Sequence, residues 1–474
     1  MNFKTKPRNH QLEAFNTLKD LNCKGIFYDM GTGKSKISLD VLRYKCYQQN
    51  QVLLTLIVAP KVSLENTWIP EIEKHTSLAP YAEVVSGTSA TRRQKLKLGN
   101  KRIFVINYEG IATVLPTLLK MKWDIIIADE SQRIGSHKSQ RTKNMLILSR
   151  IAKNRFALTG TPILRSPMKI FSQALFIDHG KVFGSNFFAF RNYFFEDANL
   201  SKARFIPREK YFPKYVLRED RKAEYEARLA QLSIIKTKDE CLDLPPKGFE
   251  VLQIEMAPDQ LSAYKQMEKE LITLWEAGEA MVAANAAVAT IRLRQITSGF
   301  MVLDGPEKKV VRFKSQPKLK ALKTLLEDIT PTAKVIIWAC FRPDIHMLLK
   351  EFKQYNPASI FGDTKNTKLE QDKFNLDDSC RILIGNPQSA GVSLNLIAAS
   401  YGVFYSQGFD PDDRLQGEDR CHRDGSQIHK NITYVDLVCK KSVDEVVVES
   451  LHNKENLSNN IMEVAKRLRR KEVR

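Results

Sequence analysis

Short apolar runs that recur between longer amphipathic stretches constrain this chain more than any other feature. Ile26–Tyr28, Leu53–Ala59, Ile103–Asn107, Asp124–Ala128 and Phe156–Leu158 are β-rich, and each ends in a polar or glycine-containing turn. Helix-like segments lie between them. Strands of this kind, separated by crossover helices, build a parallel, doubly wound α/β sheet whose ligands gather at the carboxyl ends of the strands. From about residue 165 to 240 the rhythm changes. Aromatics crowd Phe171–Phe195 and a charged helical run, Arg218–Gln231, follows, which reads as a helical insertion. Leu244-Pro245-Pro246-Lys247 marks a boundary, because consecutive prolines cannot continue a helix. Phe249–Ile254 then reads as a strand, and Gln260–Gln295 as helical with an alanine-rich middle. The α/β rhythm returns with Val335–Ala339, Ile382–Gly385, Val403–Ser406 and Thr433–Leu437. The expected organisation is a first α/β lobe over 1–165, its helical insertion over 166–243, and a second α/β lobe over 244–474 with an insertion at about 258–312.

Four motifs stand at the ends of these strands. Asp29-Met-Gly-Thr-Gly-Lys-Ser35 follows a strand and opens a helix, so its glycines free backbone N–H groups to wrap a phosphate at a helix N-terminus. Lys34 is placed to pair with β- and γ-phosphates, with Ser35 as a ligand of Mg²⁺. The longer phosphate-loop pattern would carry glycine at position 28, where this chain has Tyr28, so the motif is a shortened one. Asp124-Ile-Ile-Ile-Ala-Asp129-Glu130 is an apolar strand ending in two acids. Asp129 is expected in the metal shell and Glu130 as the general base. Such a pair alone is ordinarily a solvated turn; its place after the phosphate loop, in the same lobe, gives it meaning. Thr159-Gly160-Thr161-Pro162 follows the next strand, a hydroxyl-rich turn able to bond those acids and sense the γ-phosphate. Gln416-Gly-Glu-Asp-Arg420-Cys-His-Arg423 lies in the second lobe, and its two arginines, three apart, are expected to fall on one helical face. Both arginines then reach one phosphate, where an arginine finger contributes roughly 10³–10⁵ in rate.

Charge points to the partner. Lys plus Arg number 74 against 54 Asp plus Glu, a net +20, which favours a polyanion through phosphate contacts and counterion release. The seven cysteines form no CxxC pair, against a zinc ribbon or disulfide framework, and the eight histidines show no metal spacing. No run approaches a membrane span, and Met1–Gln11 has no apolar signal core, so a cytoplasmic protein is expected, or a nuclear one in a eukaryote.

In this order the motifs resemble those of the superfamily 2 helicases, and within them the Swi/Snf-like DNA translocases, over nearly the whole chain. Arg8-Asn9-His10-Gln11 resembles that family's glutamine motif, Ala59-Pro60-Lys61 motif Ia and Asn107-Tyr108-Glu109 motif Ib. Asp129-Glu130-Ser131-Gln132 stands at motif II and the Thr159 turn at motif III. Arg292-Leu293-Arg294-Gln295 and Ser315–Leu319 are similar to its next landmarks. Val335-Ile-Ile-Trp338 stands at motif IV, Ser389-Ala-Gly391-Val-Ser-Leu394-Asn395-Leu396 at motif V, and the arginine pair at motif VI. Three departures are visible. Gln132 replaces the usual histidine, Val392-Ser393 a glycine-rich pair, and Gly425-Ser426 a glycine-glutamine.

The resemblance implies two RecA-like doubly wound parallel-sheet lobes with helical insertions. Gln11 would read adenine, and Gly31, Thr32, Gly33, Lys34, Ser35 and Asp129 would hold ATP with Mg²⁺. Lys34, Glu130, Arg420 and Arg423 would carry the chemistry, and Gln132, Thr159, Thr161 and Gln416 would couple it to motion. Lys61, Asn107, Tyr108, Ser389, Gly391 and Asn395 would touch a nucleic-acid backbone. A monomeric, DNA-stimulated ATPase that moves along, unwinds or branch-migrates duplex or branched DNA is expected. The competing readings are an ATP-switched binding module with little motor activity, and an RNA helicase.

Overall fold

The structure is a computed structural model that describes residues 2–160, 167–200, 213, 215–277, 282–303, 309–388, 394–453, 464 and 467–468. It divides into two compact units, Met1–Leu242 and Asp243–Arg474.

The first unit carries β1 (Cys23–Tyr28), β2 (Thr55–Ala59), β3 (Ala82–Val84), β4 (Ile103–Asn107), β5 (Ile125–Ala128) and β6 (Asn154–Leu158). A hairpin, β7 (Phe195–Asp197) with β8 (Tyr215–Leu217), and then β9 (Ser233–Lys236) follow. The seven strands other than the hairpin form one sheet in the order β3-β4-β2-β5-β6-β1-β9, parallel throughout. Both faces are covered, which explains strands that are apolar at successive positions rather than at alternate ones. Leu56 and Val58 of β2 and Ile126 of β5 pack into one core, while Ile57, Ala59, Ile125 and Ile127 pack into another. The stretch 166–243 is not all helix, as expected from its charge run, because it also supplies the edge strand β9. Ser233-Ile-Ile-Lys pairs with Gly25–Tyr28, and the approach requires Gly25: a Cβ there would lie 2.8 Å from that of Ser233. Most of the Phe171–Phe195 aromatics join the core on one face of this sheet, with Phe183, Phe190, Phe194 and Tyr225 buried against one another, so they form no separate core of the stretch.

The second unit carries β10 (Lys247–Ile254), a hairpin of β11 (Phe300–Val302) and β12 (Val310–Arg312), then β13 (Lys334–Trp338), β14 (Ala358–Ile360), β15 (Ile382–Gly385), β16 (Ala399–Phe404) and β17 (Ile432–Cys439). Its main sheet runs β10-β17-β16-β13-β15-β14, again parallel, with Val335 and Ile337 on one core and Ile336 and Trp338 on the other. The insertion expected at about 258–312 holds helices Pro258–Ala277 and Val282–Thr297 and also the β11–β12 hairpin, so it is not wholly helical. Among the described residues no helix is long and apolar enough to cross a membrane.

An ion network that the sequence pattern did not announce fixes helix Pro411–Glu418 to this sheet. The Arg414 guanidinium lies 3.7 Å from the Phe404 ring centroid. Its Nε donates to Glu418 Oε1 at 2.8 Å, and its Nη1 donates to Gln407 Oε1 at 2.7 Å and to Asp436 Oδ1. Lys247 Nζ donates to the other Glu418 oxygen at 2.9 Å. Arg414, Glu418 and Asp436 are all buried, so removing the arginine leaves Glu418 with Lys247 and Asp436 with the Gln407 amide, and takes from both the charge they share. Arg414→Leu is expected to lower stability by about 3–5 kcal/mol, read from urea unfolding. Adding Glu418→Gln and Asp436→Asn should recover part of that loss.

Candidate functional site

Adjacency of β5, β6 and β1 in the sheet brings three turns together at their carboxyl ends. The turn after β1 is the glycine loop. Gly31 and Gly33 have φ of +81° and +85°, a conformation costly for any residue with a Cβ, and Gly33 caps helix Lys34–Gln48. Thr32 Oγ1 donates to Asp29 O at 2.8 Å, and Lys238 N donates to Asp29 Oδ2 at 2.9 Å, tightening the loop. Lys34 is buried, and its Nζ donates to Tyr28 O at 2.8 Å and Asp29 O at 3.1 Å. Burial lowers its pKa, and the Glu130, Asp129 and Asp29 carboxylates oppose that shift. The turn after β6 leaves no room to spare, since a Cβ on Gly160 would stand 3.0 Å from Lys34 Nζ and 2.6 Å from Met30 Cγ.

The turn after β5 holds the acids. Glu130 has φ +50°, a left-handed conformation that costs a non-glycine residue roughly 1–2 kcal/mol. Strain of this kind gathers at functional turns. Asp129 Oδ2 accepts the Trp68 indole N–H at 3.0 Å, and its Oδ1 accepts the Glu130 backbone N–H at 3.0 Å. Its carbonyl accepts the Tyr108 hydroxyl at 2.6 Å. Burial first, then the neighbouring Glu130 charge, pushes the Asp129 pKa upward, with Trp68 and Lys34 pulling the other way. A hard divalent cation suits this crowding of oxygen donors. Among the described residues no three His, Cys, Asp or Glu side chains form a metal site of their own.

Gln132, standing where histidine was expected, bridges the second and third turns. Its Nε2 donates to Glu130 Oε2 at 2.5 Å, and its Oε1 accepts the Thr159 hydroxyl at 2.7 Å. An amide, with a donor at one end and an acceptor at the other, closes this relay between a carboxylate and a hydroxyl without needing a charge. Ser131 Oγ donates to Gln173 Oε1 at 2.7 Å, anchoring the same turn to helix Ile170–Asp178. Thr161 lies outside the described residues.

Gln11 sits behind the loop. Its Oε1 accepts Arg8 N at 3.1 Å and its Nε2 donates to Thr32 O at 3.3 Å, while His10 Nε2 meets the same carbonyl at 2.8 Å. Beside it is a cleft of about 550 Å³ lined by Arg8, His10, Glu13, Lys236 and Cys241.

The residues expected at a nucleic-acid strand divide. Lys61 is exposed just past β2, at the same edge of the sheet as the acids. Asn107 is buried, donating to Glu109 Oε2 at 3.1 Å. Tyr108 departs from the expectation: it is 1% exposed, and its hydroxyl is committed to Asp129 O. A buried tyrosine needs such a partner, and this one supports the acid turn from inside.

In the second unit, Asn395 is half-buried, and its backbone is held by Gln371 and Asn375. Ser389 and Gly391 lie outside the described residues. The premise that both arginines lie on one helical face is corrected. The helix ends at Glu418, whose carbonyl accepts the Tyr434 hydroxyl, and Arg420 and Arg423 follow in the turn beyond it. Gln416 is half-buried on the last helical turn, Arg420 is buried, and Arg423 Nη1 donates to Leu394 O at 2.6 Å. The backbone bond from Leu396 N to Arg420 O also ties motif VI to motif V. Trp68 and Lys238 had no signal in the sequence, since each acts through a partner distant in the chain.

A family model described as the SNF2-related domain matches residues 10–299, and one described as the helicase conserved C-terminal domain matches 317–425. The chain is 26% identical over 479 residues to protein p41 of Acyrthosiphon pisum secondary endosymbiont phage 1, covering 97% of this chain and 99% of that one. It is 25% identical over 435 residues to a Caenorhabditis elegans homolog of the SWI/SNF-related matrix-associated actin-dependent regulator of chromatin subfamily A-like protein 1. That match covers 90% of this chain but spans only 57% of the worm protein. Among solved structures, the Sulfolobus solfataricus SWI2/SNF2 ATPase core in complex with dsDNA covers 98% of this chain and 96% of its own, at 21% identity and a TM-score of 0.46.

The relay makes a prediction of its own. Gln132→Ala and Thr159→Val should each slow ATP turnover about tenfold, and the double variant should be no slower than the slower single, as members of one unit are not additive. Full multiplication of the two effects in steady-state assays would show that the contacts act separately.

Proposed function

This chain belongs to the SNF2-related family, and on that premise we propose that it is an ATP-dependent DNA translocase that moves along and remodels duplex or branched DNA. The observation that carries the reading is the convergence of Lys34, Asp129, Glu130 and the Gln132–Thr159 bridge on three adjacent strand ends. ATP would lie along the glycine loop with its base toward Gln11, and Lys34 would leave its loop carbonyls for the phosphates. Ser35 and Asp129 would hold Mg²⁺, which supplies charge neutralisation for the transferred phosphoryl group. Glu130, oriented by Gln132, accepts the proton of the attacking water at its carboxylate. Arg420 and Arg423 are assigned the remaining negative charge of the transition state.

The net charge of +20 and the exposed Lys61 support a polyanionic track gripped through its phosphates. Grip of that kind ignores base sequence, as a motor that must travel requires.

Lys34→Ala, Glu130→Gln and Arg423→Ala should each reduce DNA-stimulated ATP turnover by at least about 10², with circular dichroism and melting temperature little changed. Near-normal turnover in Glu130→Gln would remove the base assignment. Affinity for duplex DNA should fall linearly on a log–log plot against salt, and Lys61→Ala should reduce that slope by roughly one contact.

A further inference from the structure

We propose that Trp68 is a positioning residue through which a strand held after β2 orients Asp129, so that nucleic-acid binding sets the rate of phosphoryl transfer. This rests on the reading above, in which Lys61 grips a phosphate backbone and Asp129 shares the metal.

The path is short and hydrogen-bonded. Lys61 and Val62 are exposed, while Ser63 N returns to Pro60 O at 2.9 Å, so the turn is closed on itself. A π-helical turn, Leu64–Trp68, follows at once, with Ile69 N bonded to Leu64 O. One extra residue in a helical turn rotates everything after it by about 100°. Here that turn delivers Trp68 to the interior, where it is fully buried, with its Nε1 3.0 Å from Asp129 Oδ2. Leu64 and Trp68 pack in the same core as Ile57, Ala59 and Ile127, so the exposed lysine and the buried indole belong to one packed element. Each Asp129 carboxylate oxygen accepts one donor, the other being its neighbour's backbone N–H. The indole is thus the side-chain contact able to turn the carboxylate. The turn after β4 reaches the same residue, through Tyr108 and the Asp129 carbonyl.

The test removes the donor. Trp68→Phe deletes the N–H, and benzothienylalanine at position 68 deletes it while keeping the bicyclic shape, so that folding is preserved. ATP turnover is measured with and without saturating duplex DNA, DNA affinity by fluorescence anisotropy, and the Mg²⁺ requirement by binding of a fluorescent ADP. The quotient of stimulated over unstimulated turnover should fall about tenfold, the size of one charge-assisted hydrogen bond. DNA affinity should stay within about twofold, and half-maximal nucleotide binding should need more Mg²⁺. An unchanged quotient in the benzothienylalanine variant overturns the proposal, as does an equal fall in both rates, which marks a merely structural role. If the unsubstituted protein shows no stimulation, the functional reading beneath fails, and this inference with it.

Discussion

Two carboxylates and one ammonium share a buried space at the ends of β1 and β5, and much of the first unit is arranged around that fact. Asp129 and Glu130 are adjacent in sequence and both inside, so their charges raise each other's cost, and the Lys34 ammonium is buried facing both. The rest of the local structure distributes that cost over neutral donors. Trp68 gives an N–H to one acid, Gln132 gives an N–H to the other, and Tyr108 holds the peptide between. A divalent cation would add the positive charge that two carboxylates and one ammonium lack, and with Lys34 it would balance a phosphate chain.

That arrangement ties the departure from the family pattern to chemistry. A histidine at position 132 can carry a charge, whereas glutamine cannot. The bridge from Glu130 to Thr159 in this chain is therefore independent of a second titration, and its strength depends only on geometry. The second unit uses the opposite solution. Arg414 faces Glu418 and Asp436 with Lys247 beside them, so the helix that precedes Arg420 and Arg423 is fixed by charge pairs as well as by the Gln407 amide.

Much of this was legible in the sequence, for a physical reason. Strands buried on both faces need continuous apolar residues, which is why β2, β4, β5, β13 and β17 stand out along the chain. Chemistry at strand ends then follows from motif order. What stayed hidden was of two kinds. Three-residue strands such as β3 and β14, and the edge strand β9, are too short or too mixed to show a pattern, and β9 depends on Gly25 permitting close approach. Side-chain direction was the other. An aromatic next to a strand end reads equally as a surface contact or an internal support, and Tyr108 proved internal. Spacing of three reads as one helical face only while the helix lasts, and here it stops at Glu418, before either arginine.

The central claim is that this site hydrolyses ATP in response to DNA. Steady-state ATP turnover of the unsubstituted protein, measured against duplex, forked, four-way-junction and single-stranded DNA and against RNA, tests it most directly. The account predicts that duplex or branched DNA raises turnover by about tenfold or more, and that added salt removes the effect. Turnover indifferent to every DNA, or raised by RNA alone, would contradict it.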